Sequence, residues 1–387
     1  MRKAPLIVCL AVCGIGGTLA AAQKTPAAPK PSLDQLLQTA GRAREENHDE
    51  EAIRLYRRAV ALEPESEQGL WFLGTLLYEK KQYPEARDVL RQFMTLRPDA
   101  GPGWALLGLS EFETRDYRRA LDHLQHAMAA GMGDREELVQ MVFKEVAELL
   151  IRFERYDDSL DMILKMLDTK AEQPDLMEPA GLAGLRLPLL PAEIPPNRRE
   201  LVDQAGRAVL ALQTRHNEEA ESEFHRLVTS YPNEPGVHFL YGAYLMGARP
   251  NEAVPELERE LEISPTHVLA RIRLAEAFIA QRDFDRALVL AQQAIQLEPK
   301  RASAHEMAGE ALLAKGQSAD GIKELEIARA GDPAVSRTHW DLMRAYTAAG
   351  RKEDAELEKK EIEKLQQSNS SSDPSAGGEI PHDRATP

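Results

Sequence analysis

Apolar residues recur at intervals of three and four along most of the chain, which is the spacing that places them on one face of an α-helix. Leu70, Leu73 and Leu77 show this spacing in one segment, and Val89 and Phe93 show it in the next. Polar residues fill the positions between them. The pattern predicts successive amphipathic helices joined by short turns, and therefore an all-α fold.

The helical segments repeat with a fixed period. Ala52, Ala86 and Ala120 open the same short pattern, and consecutive members lie 34 residues apart. The copies read EEAIRLYRRAVALEP at 50–64, PEARDVLRQFMTLRP at 84–98, YRRALDHLQHAMAAG at 117–131 and FDRALVLAQQAIQLEP at 284–299. A second apolar segment precedes each copy, as in WFLGTLLY at 71–78. Each unit is therefore predicted to be a helix, a turn and a helix within a repeat array.

The copies resemble the tetratricopeptide repeat family, whose 34-residue unit has small residues at its eighth and twentieth places and Pro near its end. Units that begin at Leu33, Glu67, Gly101, Leu201, Pro235, Val268 and Ala302 place Gly or Ala at these positions, with the unit from Pro235 using Ala253 because its turn is one residue shorter. The predicted repeat-packing residues are Ala40, Ala52, Gly74, Ala86, Gly108, Ala120, Ala208, Ala220, Gly242, Ala253, Ala275, Ala287, Gly309 and Gly321. A small side chain at a helix crossing lets the two helices approach closely.

The resemblance implies a solenoid of about nine helical hairpins in two arrays, wound as a right-handed superhelix, since a single hairpin cannot bury its own apolar face. The first array is predicted at 33–172 with about four units, the fourth irregular, with a lengthened first helix from about Glu136 to Phe153. The second array is predicted at 200–367 and ends in a polar capping helix. Residues 368–387 have one large apolar residue, Ile380, and are expected to be disordered.

A Pro/Leu-rich bridge at 173–199 separates the two predicted arrays. Six prolines interrupt regular helix there, while six leucines keep the segment apolar. A free linker is expected to be more polar. Two alternatives remain open at this point: the bridge packs on a neighbouring unit or in a groove, or it is a loosely ordered connection.

The amino end has the pattern of a secretory signal peptide at 1–22. Arg2 and Lys3 are basic, an apolar stretch follows, and the small residues at 20–22 offer an A-x-A cleavage site. A linker rich in Pro and Ala follows at 23–32. Export to the periplasm or the extracellular space is therefore expected. Anchoring as a lipoprotein at Cys13 is the alternative, although Val12 is larger than the residue that usually precedes such a Cys.

The net charge of −15 argues against a general nucleic-acid binder, because such a protein needs a basic stripe to displace counterions from phosphates. It also disfavours an anionic membrane surface. The apolar run of the signal peptide falls short of the ~20 residues that span a bilayer. No transmembrane segment is expected in the mature chain.

Motifs for catalysis are missing from the sequence: it contains no GxSxG, no Walker loop and no GxGxxG after a strand. The segment beginning at His305 and Glu306 starts like a zinc protease motif, but Gly309 stands where the second His is required. His123 and His126 share a helix face, and no further ligand completes a metal set. We therefore predict no catalytic residue, no metal site and no cofactor, and no small-molecule substrate is evident.

The resemblance implies a concave groove lined by the second, fifth, ninth, twelfth and thirteenth places of the first helices. The predicted groove residues are Trp71, Tyr78, Glu79, Ala105, Leu109, Phe112, Glu113, Phe239, Met246, Ile272, Glu276, Ile279, Glu306, Glu310, Leu313, Trp340 and Arg344. Apolar groups alternating with Glu suit an apolar partner segment that carries basic residues. The alternative is that Trp71, Phe112 and Phe239 seal neighbouring units.

These features predict a non-enzymatic scaffold or adaptor that binds another protein in the cell envelope of a bacterium. The competing hypothesis is an accessory subunit or chaperone-like factor of an envelope enzyme or assembly machine, of the kind that serves outer-membrane, pilus, polysaccharide or cytochrome biogenesis. A hydrolase without recognisable motifs is the third possibility.

Overall fold

The computed structural model describes residues 31–133, 135–167, 176–214 and 216–371, with side chains described as far as Gln367. Within these ranges the secondary structure is helical and contains no strand, which confirms the predicted all-α fold. The predicted signal peptide, nearly all of the linker after it and most of the C-terminal tail lie outside the described residues. The chain divides into two compact units, residues 1–96 and 97–387.

The first unit contains two helical hairpins. Its helices are α1 (Leu33–Glu45), α2 (Asp49–Leu62), α3 (Glu67–Glu79) and α4 (Tyr83–Leu96). Ser32 caps α1 because its hydroxyl accepts from the Gln35 backbone while the Gln35 side chain accepts from the Ser32 backbone. Tyr56, Leu70, Leu77 and Leu90 have no exposed surface and form the interior of these hairpins.

The second unit contains the remaining helices. They are α5 (Gly101–Glu113), α6 (Tyr117–Ala130), α7 (Glu136–Arg152), α8 (Tyr156–Leu167), α9 (Met177–Gly184), α10 (Arg199–Gln213), α11 (Asn217–Ser230), α12 (Val237–Met246), α13 (Pro250–Ile263), α14 (Val268–Ala280), α15 (Phe284–Leu297), α16 (Ala302–Ala314), α17 (Ser318–Gly331), α18 (Ser336–Ala348) and α19 (Lys352–Ser371). A short 3-10 turn, Pro191–Glu193, precedes α10.

All the predicted repeat-packing residues are buried where the two helices of a hairpin meet. At the eighth place, Gly74 faces Leu90 of the partner helix so closely that a Cβ on Gly74 would lie 2.7 Å from Leu90 Cδ2. Gly309 has the same relation to Leu325, at 2.7 Å from its Cγ. A larger side chain at these places would push the helices apart, which explains why only small residues occupy them.

The turn between the two helices of a hairpin has a recurring left-handed residue. Asn47, Lys81, Arg115, Glu154 and Arg282 have φ between 58° and 63°, although none of them is glycine. The corresponding turns after α16 and α18 use Gly316 and Gly350. A non-glycine residue in this conformation costs about 1–2 kcal/mol, so the packing of the helices around each turn must outweigh that strain.

The part of the Pro/Leu-rich bridge that the structure describes, residues 176–199, is packed. Leu182, Leu185 and Ile194 are nearly inaccessible and share a core with Leu201 and Val202 at the start of α10. Helix α9 and helix α10 approach at backbone distance, because a Cβ on Gly181 would lie 2.0 Å from the Val202 carbonyl oxygen. Of the two alternatives that the sequence left open, the structure shows the packed one.

Helix α9 stands alone between two hairpins, and this changes the direction of the helices that follow. Arg152, at the end of α7, donates to the Pro188 carbonyl at 3.1 Å and pairs with Glu193 at 2.9 Å. Gly236, just before α12, lies against the Leu185 carbonyl at the end of α9. Helix α7 therefore ends at this edge, while α12, also the first helix of its hairpin, begins there.

In each of three later hairpins, a histidine at the fourth place of the unit contacts both the second helix and the preceding turn. His339 Nδ1 lies 2.6 Å from Glu358 Oε2 of the second helix, and its Nε2 lies 2.9 Å from the Pro333 carbonyl of the preceding turn. His238 and His305 make the same pair of contacts in their own hairpins. These histidines join a helix, its partner and the turn before it.

Candidate partner-binding surface

The predicted groove aromatics of the first unit pack within their own hairpin. The Trp71 ring lies 5.2 Å from that of Phe93, and the Tyr78 ring lies 5.6 Å from that of Tyr83, measured between centroids. Both Trp71 and Tyr78 are half-buried, while Glu79 is exposed. The contacts of Trp71 and Tyr78 agree with the sealing role that the sequence left as an alternative.

Several predicted groove residues of the second unit are also internal. Leu109, Phe239 and Ile272 are buried with at most 5% exposure, because the neighbouring helix covers the side of the helix that carries them. The Phe239 ring is 4.6 Å from that of His267. Phe112 packs on Tyr117 at 5.7 Å. Ala105 is buried as well, Met246 is half-buried, and Glu113 is exposed.

On the inner face of α14, α16 and α18, by contrast, the predicted groove residues are charged. Charged groups from the three helices converge there on Arg337. The Arg337 guanidinium lies 2.5 Å from Glu310 Oε2, 3.4 Å from Glu276 Oε1 and 4.0 Å from Glu306 Oε1. Glu276, Glu306 and Glu310 are predicted groove residues, and the structure brings them together. We call this surface, with Asp341 and Arg344, the carboxylate face.

Two carboxylate oxygens of the carboxylate face are buried without a hydrogen-bond partner. They are Glu306 Oε1 and Asp341 Oδ2, on side chains that are 10% and 5% exposed. The other Asp341 oxygen pairs with Arg344. Burial raises the pKa of Glu306 and of Glu310, and the nearby Arg337 charge offsets only part of this effect. The carboxylate face therefore has an unmet capacity to accept hydrogen bonds.

An adjoining cavity of about 530 Å³ provides apolar walls beside these charges. Ile279, Leu313 and Ala345 line it, and its charged lining residues are Glu310, Asp341, Arg282 and Arg344. Trp340 is 44% exposed and lies one helical turn before Arg344, so both side chains share one side of α18. The apolar walls of this cavity suit an apolar side chain, while its two carboxylates are matched in number by two arginines.

The histidines that could have indicated a metal site have structural partners. His123 Nδ1 lies 2.6 Å from the buried Glu111, and the rings of His123 and His126 pack against Trp104 at 4.9 and 4.7 Å. Among the described residues, no group of three or more His, Cys, Asp or Glu side chains is arranged to hold a metal ion. No helix in the same ranges combines the length and the apolar character of a membrane span.

Comparisons with known families agree with the helical hairpins described above. Models of the tetratricopeptide repeat match residues 39–103 and 244–307. The chain therefore contains tetratricopeptide repeats. A model of the bacterial transcriptional activator domain, another helical domain, matches residues 279–359. Tetratricopeptide repeats bind other proteins, and on this ground the chain is a protein-interaction scaffold of a family that is typically non-catalytic.

Among solved tetratricopeptide structures, MamA is similar to this chain. MamA from Desulfovibrio magneticus RS-1, from its residue 41 to its end, is 20% identical, with a TM-score of 0.38 over 45% of this chain and 98% of that chain. The ArsTM double mutant of MamA RS-1 is 20% identical, with a TM-score of 0.40 over the same shares. No curated protein matches the chain in sequence.

Two residues of the carboxylate face were missed at the sequence level. Arg337 occupies the second place of the tetratricopeptide unit that begins at Ser336, so the family's groove places could have identified it. Asp341 occupies the sixth place, which does not belong to that set. Only the structure places Asp341 on the carboxylate face, through its contact with Arg344 and its electrostatic influence on Glu306 and Glu310.

Proposed function

We propose that this protein is a non-enzymatic scaffold that binds a partner segment on the carboxylate face, and that the segment carries apolar and basic side chains. The observation that carries the proposal is the pair of buried oxygens on Glu306 and Asp341 that accept no hydrogen bond, although Arg337 lies 4.0 Å from the Glu306 oxygen. A buried acceptor without a donor costs about 1–3 kcal/mol. A Lys or Arg side chain from a partner would supply the missing donor and stabilise the charged form of the carboxyl groups.

The surroundings of these oxygens support a mixed apolar and basic partner. Ile279 and Leu313 offer apolar contact next to Glu310 and Asp341, and Trp340 offers an exposed aromatic ring. An aromatic ring beside a cation adds a favourable interaction of about 0.5–2 kcal/mol. An extended segment or a helix could present both kinds of side chain at once.

We further propose that the scaffold acts in the envelope of a bacterium, after export. The basic residues, apolar stretch and A-x-A pattern at 1–22 support this location. Fractionation of cells that produce the tagged full-length chain tests it. A mature protein in the periplasmic or extracellular fraction, starting at Gln23, is expected; a protein that keeps its first 22 residues in the cytoplasm would overturn the proposal.

The binding proposal is tested by a pull-down from the native exported fraction with three versions of the mature chain. The first is wild type, the second carries Trp340→Ala and Asp341→Asn, and the third carries Leu357→Ala as a control. Leu357 is 59% exposed on α19. A partner retained by wild type and by the control but lost by the double variant is expected. Equal recovery with all three versions would contradict binding at the carboxylate face.

The accessory-subunit hypothesis predicts in addition that the captured partner is an enzyme or an assembly factor. Measuring the activity of that partner with and without the mature chain separates the two hypotheses. A change in activity that requires Trp340 favours the accessory subunit, while binding without any change favours a scaffold. Incubating the mature chain alone with ester, peptide and glycan substrates tests the hydrolase alternative.

A further inference from the structure

A second surface with a different composition lies on the opposite side of α14. A cavity of about 640 Å³ opens between α13 and α15, with α14 as its floor. Its walls include Leu261, Leu274, Phe278, Val289 and Leu290. Leu274 and Phe278 lie two residues to either side of Glu276, which places them about 200° around the helix from the carboxylate face. We call this cavity the outer pocket.

The apolar lining of the outer pocket ranges from buried to exposed, with Leu261 and Leu290 half-buried and Val289 exposed. Leu274 and Phe278 are 3% and 2% exposed and belong to the core, so the floor is rigid. Val289 is 52% exposed at the side of the pocket. Apolar groups around an open cavity of this size gain free energy when a partner covers them, at about 25 cal/mol per Å². A pocket that is both apolar and open is a common form of binding site.

The charges that line the outer pocket indicate the kind of partner. Glu258, Glu262 and Asp285 line it and are exposed. The one lining cation is Arg286, which stacks over the Phe278 ring at 4.0 Å and pairs with Asp283 at 2.5 Å. The charge of Arg286 is therefore balanced by Asp283. The three lining carboxylates outnumber this one lining cation, although Glu262 and Asp285 also have cationic partners outside the lining.

Two of these carboxylates have weak partners of their own. Glu262 pairs with Arg259 at 2.6 Å, and Asp285 pairs with Lys315 at 2.5 Å. Exposed pairs of this kind contribute about 0–1 kcal/mol. An incoming cation can therefore replace either pair at little cost.

We infer that the outer pocket docks a segment of a second partner protein that inserts a bulky apolar side chain, with Lys or Arg one helical turn away to meet the carboxylates. A second copy of this chain does not fit, because the chain has a net charge of −15 and would bring further negative charge to the opening. Since the outer pocket and the carboxylate face lie on opposite sides of α14, both can be occupied together. The scaffold would then join two partners.

The test uses the full mature chain and a fluorescein-labelled peptide in which Phe and Leu lie four residues apart and three Lys flank them. Binding is measured by fluorescence anisotropy. Two further peptides serve as controls, one with Glu in place of Lys and one with Ser in place of Phe and Leu. We expect the first peptide to bind at least tenfold more tightly than either control. Equal binding of the Ser peptide would show attraction by charge alone and would overturn the inference.

Protein variants locate the binding. Val289→Arg is expected to weaken it at least tenfold, and Glu258→Lys with Glu262→Lys at least fivefold. Ile327→Arg is the matched control, since Ile327 is 39% exposed on the outer helix α17, and it should stay within twofold of wild type. If Val289→Arg fails to fold, Val289→Ser replaces it, with at least a threefold loss expected. Unchanged binding by the folded Val289 variant would overturn the inference.

The carboxylate face could take the same peptide, so Trp340→Ala is included. If Trp340→Ala abolishes binding and the Val289 variant does not, the outer pocket is not the site, while the proposal for the carboxylate face survives. If the Val289 variant abolishes binding and Trp340→Ala does not, the outer pocket is the site, whatever the pull-down shows for the carboxylate face.

Discussion

Single small residues at the helix crossings set the distance between the two helices of each hairpin. Ala86 has no exposed surface at the twentieth place of its unit, in the middle of the contact between α3 and α4. We expect Ala86→Leu to lower the free energy of unfolding by about 1–3 kcal/mol, because the extra atoms have no room. Urea unfolding measures this, with Gln92→Leu on the exposed side of α4 as control. Equal stability of both variants would contradict the register.

A largely buried carboxyl group on α7, that of Glu145, makes the free energy of unfolding depend on pH in a known direction. Burial, with repulsion from Glu148 as a smaller cause, raises the pKa of Glu145 from 4.5 to about 7, against the attraction of Lys144. Between these pH values the native state holds a proton that the unfolded state has lost. Stability from Glu145 is therefore highest at low pH and falls as the pH rises towards 7.

We expect Glu145→Gln to remove this contribution. The variant should gain stability relative to wild type as the pH rises from about 4.5 to 7, by at most about 3 kcal/mol. Thermal or urea unfolding at a series of pH values measures the difference between the two proteins, which cancels the titrating groups that do not interact with Glu145 and leaves the combined effect of Glu145 and its neighbour Glu148. A difference that is constant across this range would show that Glu145 is not buried as described.

At the scale of the element, α9 shows how closely a single inserted helix is built into the core. A Cβ on Gly181 would lie 2.0 Å from the Val202 carbonyl oxygen, and backbone cannot move aside easily. We expect Gly181→Ala to cost about 1–3 kcal/mol of stability. Gly247→Ala is the control, because Gly247 is exposed with right-handed helical angles. Similar unfolding midpoints for both variants would contradict the contact between α9 and α10.

Most helix positions could be predicted from the sequence because the spacing of the repeat is itself the packing rule. The predicted unit starts at Leu33, Glu67, Gly101, Val268 and Ala302 coincide with the first residues of α1, α3, α5, α14 and α16. The lengthened helix near Glu136 is also present as α7. Helix α9 could not be predicted, because its Pro and Gly residues have weak helix propensity and its stability comes from contact with α10.

The candidate surface was predictable only in part. The groove places of the family identified Glu306, Glu310 and Arg344, which meet on the carboxylate face. The same places also selected Phe239 and Ile272, which are buried. The exposed fraction of a side chain at a groove place depends on how the neighbouring hairpin packs, and the sequence does not show this. The outer pocket could not be predicted from the sequence, because Val289 and Phe278 line a cavity only as a result of the gap between α13 and α15.

At the scale of the molecule, the last helix protects the end of the array. Ala355, Glu358 and Ile362 of α19 are buried, and Ala355 shares a core with Leu342 and Tyr346 of α18. We expect deletion of residues 352–387 to speed amide hydrogen exchange at least tenfold in α18 and to leave α10 unchanged, because repeats stabilise their neighbours. Deletion of 368–387 alone is the control and should change neither helix. Unchanged exchange in α18 after the longer deletion would show that α19 is dispensable.

Glycine in place of the non-glycine residues at the left-handed turns can make this scaffold more heat-resistant. Lys81 and Arg115 adopt a backbone conformation that glycine adopts without strain, and the turns at Gly316 and Gly350 show that the same geometry accepts glycine. Both side chains are exposed and line neither the carboxylate face nor the outer pocket. Natural variation or protein engineering can therefore adjust the working temperature at these turns while the binding surfaces stay as they are.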